Sequence, residues 1–167
     1  MNRRALGWLL ACLLIAVALW AALRHMETRH WLSRLPPQLG VEKVVYAETD
    51  SWGFGPGGNE SGVVVYELPS HVSGANPSLL APELRWETTP LQGHREWFEG
   101  EGASRTEAGP LLYNYLNQYG FGIPIKREVV SEIDRAVSAP GSWYAYTRNG
   151  VILLMPLTNR VAYIYAG

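Results

Sequence analysis

Cysteine is nearly absent: the chain has one, Cys12, and it lies inside an apolar run. The remainder can form no internal disulfide and has no thiolate for catalysis or metal binding. A basic surplus is lacking as well. Of the 14 Lys and Arg, only Arg3 and Arg4 precede the apolar run, so from residue 24 onward 12 face 15 Asp and Glu, a formal net charge of −3. Nucleic-acid affinity is dominated by neutralising phosphates, so nucleic acid is not an expected partner. There is no His-Glu-x-x-His pair for zinc and no Gly-x-Ser-x-Gly elbow for a nucleophilic serine. No internal repeat is visible.

What the chain does have is a long uncharged start. Ala5 to Leu23 carries no charge and contains only Gly7 as a helix-weakening residue. At about 1.5 Å rise per residue it matches a hydrocarbon core of about 30 Å. Trp8 and Trp20 sit near its ends, where an indole keeps its body in lipid and its N–H at the interface. The membrane is therefore the first expected partner, through residues 5–23. Two other readings compete. Ala16-Val17-Ala18 after Arg3-Arg4 has the outline of a signal-peptide cleavage site, but the apolar run continues to Leu23, past the usual length. Leu9-Leu10-Ala11-Cys12 has the outline of a lipid-attachment box, but most of the apolar stretch follows the cysteine. Arg3 and Arg4 face Arg24, Arg29 and Arg34 across the span, so charge bias is nearly balanced. A short basic tail before a long apolar run still favours an uncleaved export signal, with the C-terminal domain outside the cytoplasm.

The expected organisation is a membrane anchor over 1–24, a juxtamembrane linker over 25–40 and one globular domain over 41–167, large enough to bury a core. His25 to Leu35 can extend the helix until Pro36-Pro37 stops it. Residues 41–48 and 63–68 are rich in β-branched and aromatic side chains and read as strands. Asn76-Pro77 can open a short helix. Pro110 starts another, with Leu111, Leu112, Tyr115, Leu116 and Tyr119 on one face before Gly120. Lys126 to Ser138 carries Val129, Val130, Ile133 and Val137 on a stripe, closed by Pro140-Gly141. Asn149-Gly150 between Trp143–Arg148 and Val151–Met155 suggests a hairpin with positive φ at both turn residues. The continuous run Val151 to Met155 reads as a strand covered on both faces, and Val161 to Tyr165 follows as a third. The fold class is α+β, with an antiparallel or mixed sheet of about five strands and two main helices.

The least ordinary segment runs from Asp50 to Gly62, with five glycines in that space. It reads as a long hairpin connection whose glycines permit backbone angles closed to other residues. Bare N–H groups there can hold an anion, and Trp52 or Phe54 can supply a stacking face. Asp50, Trp52, Gly53, Phe54, Gly55, Gly57, Gly58, Asn59 and Glu60 are the candidate ligand-binding residues. The tract lies between strands, and no Lys-Ser or Lys-Thr follows, so neither nucleotide fingerprint has its context.

Other constellations are weaker. Glu48, Asp50 and Glu60, with Glu96, Glu99 and Glu101 later, include carboxylates of the kind glycosidases place across a sugar bond, and Trp52, Trp86 and Trp97 can stack on sugar rings. His71, His94 and Glu96 include a His-x-Glu half-site without the cysteine pair that completes a zinc deaminase signature. No catalytic residue, metal ligand or cofactor is assigned. The leading expectation is a non-catalytic membrane-tethered domain that binds a protein or small molecule through the glycine tract. A tethered glycan hydrolase using Asp50 or Glu60 and a structural or assembly subunit remain alternatives.

Overall fold

The computed structural model describes residues 3–52, 59–92, 111–116 and 123–166. Among these, one long helix, α1 (Arg3–Leu32), precedes strands β1 (Val44–Trp52) and β2 (Asn59–Glu67). Short helices α2 (Ser70–Ser73) and α3 (Pro77–Leu80), strand β3 (Trp86–Thr88), and helices α4 (Leu112–Leu116) and α5 (Arg127–Ser138) follow. Strands β4 (Trp143–Thr147), β5 (Gly150–Met155) and β6 (Arg160–Ala166) end the described chain. The strands form one sheet of six, in the order β1-β2-β6-β5-β4-β3, and every neighbouring pair is antiparallel. The α+β class stands, with six strands in place of about five.

The added strand is β3. Its three residues are too few to show a period, and anchoring by neighbours compensates. The Trp86 indole Nε1 donates to Ala81 O at 3.0 Å. Just beyond the strand, Thr89 N donates to Ser142 O at 3.0 Å, and Ser142 N donates to Thr89 Oγ1 at 3.1 Å.

Both faces of the sheet are covered. On one, Val63, Val65, Val151, Leu153 and Ile164 pack against Leu112 and Leu116 of α4 and the Val129, Ile133, Val137 stripe of α5. α4 is tied to α5 where Leu112 N donates to Asp134 Oδ1 at 2.9 Å, which meets one of the donors a helix start leaves open. On the other face, Val64, Tyr66, Ile152, Leu154, Val161 and Tyr163 pack under Trp31, Leu35, Leu39, Leu68 and Val72. Burial on both sides is why Val151–Met155 is apolar without alternation, as the sequence implies.

The upper cover comes from the segment expected to be a linker. Trp31 is 8% exposed, Leu35 5% and Leu39 0%. α1 runs unbroken for 30 residues and its last turn enters the core. Ser33 N still donates to Arg29 O, and Arg34 N to Trp31 O, before Pro36-Pro37 ends the helical path. Upstream the helix is bare: the stretch Leu10–Leu32 has a mean hydropathy of 1.6 and is long and apolar enough to cross a membrane.

The Asn-Gly hairpin forms, but its turn is shifted by one residue. Thr147 pairs with Gly150, so Arg148 and Asn149 are the central residues. Asn159 is the only non-glycine with positive φ among the described residues, and Gly150 is not among the glycines that have it. Gly150 serves another purpose, because a Cβ there would collide with Ile164 O and lie 2.9 Å from Tyr165 Cβ. Glycine is required by close strand approach, not by the turn.

Candidate functional site

The strands reach further into the glycine tract than their composition suggests. Asp50, Ser51 and Trp52 belong to β1, and Asn59 to Gly62 belong to β2, in the register Asp50↔Ser61, Ser51↔Glu60, Trp52↔Asn59. Ser61 and Gly62 pair in turn with Ala166 and Tyr165 of β6, and pairing on both sides extends β2 towards the tract. Gly53, Phe54, Gly55, Gly57 and Gly58 lie outside the described residues, as do His94, Glu96, Trp97, Glu99 and Glu101.

Residue parity separates the two carboxylates that flank the tract. Asp50 stands opposite Ser61 and shares its face, whereas Glu60 is the next residue along β2 and points to the other. Two carboxyls on opposite faces do not flank one scissile bond. Glu48 shares the face of Asp50 and accepts the Tyr46 hydroxyl at 3.4 Å. Trp86, considered for sugar stacking, is buried, with its indole N–H committed to Ala81. His71 lies at a depression with Gly40, Glu42, Lys43 and Glu67. Among the described residues no three His, Cys, Asp or Glu side chains converge as a metal-holding group.

Among the described residues of the tract, Glu60 has the richest surroundings. Its Oε1 accepts the Tyr165 hydroxyl at 3.1 Å, and its Oε2 lies 3.7 Å from Arg34 Nη2. The Arg34 guanidinium sits over the Tyr165 ring, 5.4 Å from its centre, while its Nη2 is 3.2 Å from His30 Nε2. Tyr165 stacks on Tyr163 with centroids 5.3 Å apart and planes 14° from parallel. Burial, and then the negative charge of Glu60, push the Tyr165 hydroxyl well above the ordinary range, with Arg34 opposing. Tyr165 therefore acts as a neutral donor.

Two glycines make room for this arrangement. Gly62 and Gly150 are the partners of Tyr165 on the two neighbouring strands. A Cβ on Gly62 would lie 2.9 Å from the Tyr165 hydroxyl and 2.8 Å from Glu48 O. One glycine of the tract is thus explained by a tyrosine more than 100 positions away.

Near this arrangement, Trp31 Nε1 and, on the face of Asp50, Ser61 Oγ have no hydrogen-bond partner among the described residues. Ser61 is fully buried, so its hydroxyl is unspent hydrogen-bonding capacity beside the tract. Sequence reasoning named Glu60 but missed Arg34 and Tyr165. Arg34 counted only as a charge near the membrane, and Tyr165 only as core. Residue 34 meets residue 60 through tertiary packing, and no local spacing announces it.

No family model, no curated protein and no solved structure matches the chain.

Proposed function

We propose that this is a single-pass membrane protein whose domain lies outside the cytoplasm and binds a partner protein or small ligand at the β1–β2 hairpin. The observation that carries the reading is the link from Arg34 to Glu60. Arg34 stands two residues beyond α1 and pairs with the tract's flanking carboxylate at 3.7 Å. The binding end of the hairpin is thereby attached to the end of the helix that spans the bilayer.

Three features support the membrane half. The side chains along α1 from Leu10 to His30 are exposed, and an apolar surface of that extent in water would drive association. Lipid is the environment that matches it. Arg24 sits over the Trp20 ring at 5.7 Å and pairs with Glu27 at 3.2 Å, a polar collar suited to headgroup depth. The binding half rests on the half-exposed Glu60–Arg34 pair, whose charges a ligand can reach.

The test is photo-crosslinking in membranes from a probe at Trp52 or Asn59, with a probe at Arg148 as the control. Adducts confined to the hairpin positions, and weakened by Glu60→Gln and by Gly55→Ala with Gly57→Ala, are expected. Equal labelling from Arg148, or adducts indifferent to these substitutions, would remove the hairpin from the binding role. A reporter active only outside the cytoplasm, fused after Gly167, checks the orientation separately.

A further inference from the structure

A second polar site lies away from the hairpin, between α5 and the turn that joins β5 to β6. It is a surface pocket of about 510 Å³, lined by Arg127, Glu128, Ser131, Glu132 and Arg135 of α5 with Thr158 and Arg160. That volume falls within the range of small-molecule sites. Three guanidinium groups meet two carboxylates here, and the charges are unevenly spent. Glu132 Oε2 is paired with Arg160 in a short contact. Arg127 and Arg135 make no ion pair among the described residues. With Glu128 opposing them, one positive charge is left over. Lys126 caps the start of α5 with no side-chain hydrogen bond, so the helix start adds its own positive potential next to Arg127.

Glu132 is the second observation. Its Oε1 is buried and has no hydrogen-bond partner. A carboxylate oxygen in that state is costly to keep, and in a folded protein it calls for an explanation. Its Oε2 pairs with Arg160 Nη1, and the Arg160 side chain, 37% exposed, lines the pocket. Glu132 is a positioning residue here, not a ligand contact.

The pocket has an apolar extension. Glu132, Arg135 and Thr158 also line a smaller cleft of about 130 Å³, whose other walls include Ala136, Pro140, Met155 and Leu157. Leu157 is 88% exposed at its rim. A basic basin next to a narrow apolar slot matches a ligand with an anionic head and a short apolar arm. Guanidinium forks grip tetrahedral oxyanions through paired N–H groups, so the head that fits best is phosphate.

We infer that the α5–β6 pocket binds a phosphate-headed amphiphile, with Arg127, Arg135 and Arg160 holding the head and the Met155–Leu157 slot holding the apolar arm. The head comes from one of two sources, a bilayer phospholipid or a soluble phosphate ester.

The experiment is calorimetric titration of the full-length chain in phosphatidylcholine nanodiscs at low ionic strength, with hexyl phosphate and inorganic phosphate as probes. Hexyl phosphate is expected to bind more tightly than inorganic phosphate. Arg135→Gln and Arg127→Gln each weaken both probes by roughly tenfold, the loss of one charge-assisted contact. Leu157→Ser, which adds no charge, weakens hexyl phosphate alone. Both arginines and Leu157 are exposed, and circular dichroism checks that the variants keep the fold. Absence of binding, or affinities unchanged by the arginine variants, overturns the site. Equal affinity for the two probes overturns the apolar arm. Doping the nanodiscs with phosphatidic acid separates the sources: competition with hexyl phosphate supports a bilayer lipid in the pocket, and undiminished binding supports a soluble ester.

Discussion

The Tyr66 hydroxyl donates to the backbone carbonyl of Trp31 at 2.8 Å, so a strand in the middle of the domain grips the last turn of the apolar helix. The same carbonyl accepts Arg34 N at 3.1 Å, which uses both of its lone pairs. The helix end and the sheet therefore share one buried polar contact as well as one hydrophobic cluster.

Tyr66→Phe removes that bond while keeping the ring. It is expected to cost about 1 kcal/mol, seen as a fall of about 2–4 °C in the unfolding midpoint of the detergent-solubilised chain. Trp31→Ala removes the cover itself and should cost about 3–5 kcal/mol. If the tryptophan variant proved as mild as the phenylalanine one, the helix end would not belong to the core.

Gly150→Ala places a Cβ against Ile164 O and Tyr165, neither of which can withdraw without disturbing β6. A loss of about 2–3 kcal/mol is expected. Asn149→Ala, at a turn residue without positive φ, should stay within about 0.5 kcal/mol. Chemical denaturation of both variants distinguishes a glycine required by packing from an Asn-Gly pair required by the turn, for which the two costs would be comparable.

Arg34 and Glu60 are both partly exposed, and their direct coupling should be modest. A double-mutant cycle with Arg34→Gln and Glu60→Gln is expected to give about 0.5–1 kcal/mol, shrinking as salt is raised. A coupling of zero at low salt would show that the contact does not tie the hairpin to the helix end.

Tyr144 gives a pH signature. Burial, and then its hydrogen bond to Glu87, push its hydroxyl up to about 12 from 10.0, and burial likewise raises Tyr66 and Tyr165. The unfolded chain begins to lose these protons near pH 10.0, whereas the folded chain keeps them. Between those values the folded state binds more protons, so stability falls as pH rises. Denaturation midpoints measured across the alkaline range should decline with pH, and Tyr144→Phe should make the decline less steep. An unchanged slope in that variant would mean that Tyr144 ionises freely in the folded state.

Much of the fold was legible because it is written in local periods. The α5 stripe at Val129, Ile133 and Val137 and the unbroken run of β5 each need only their own neighbourhood to be read. β3 was not legible, since Trp86, Glu87 and Thr88 become a strand only through Ala81, Ser142 and the β4 register. The role of Gly62 was hidden for a related reason: it answers to Tyr165, a residue far along the chain. The burial of Trp31, Leu35 and Leu39 was not legible either, because the sequence shows only Trp31 and Leu35 at i, i+4 spacing on an extended helix. Those three side chains cover a sheet face that becomes recognisable only once β2, β5 and β6 are assembled. Glu60 was found as a loop carboxylate, but its partners were invisible because both arrive through tertiary structure.

In the proposed membrane-tethered state, the burial of Trp31 and Leu35 also determines how the domain moves over the bilayer. A flexible tether would let it roam a disc set by the tether's contour length. Here the last turn of α1 is already masonry of the domain, so in that state the domain's heading would follow the tilt and rotation of α1. Whatever turns the helix about its axis turns the hairpin with it, as a key turns its bit. A cut within residues 24–28 would release the domain with its cover intact, whereas a cut after Leu35 would strip Trp31 and Leu35 from the sheet and release a fragment with an open apolar face.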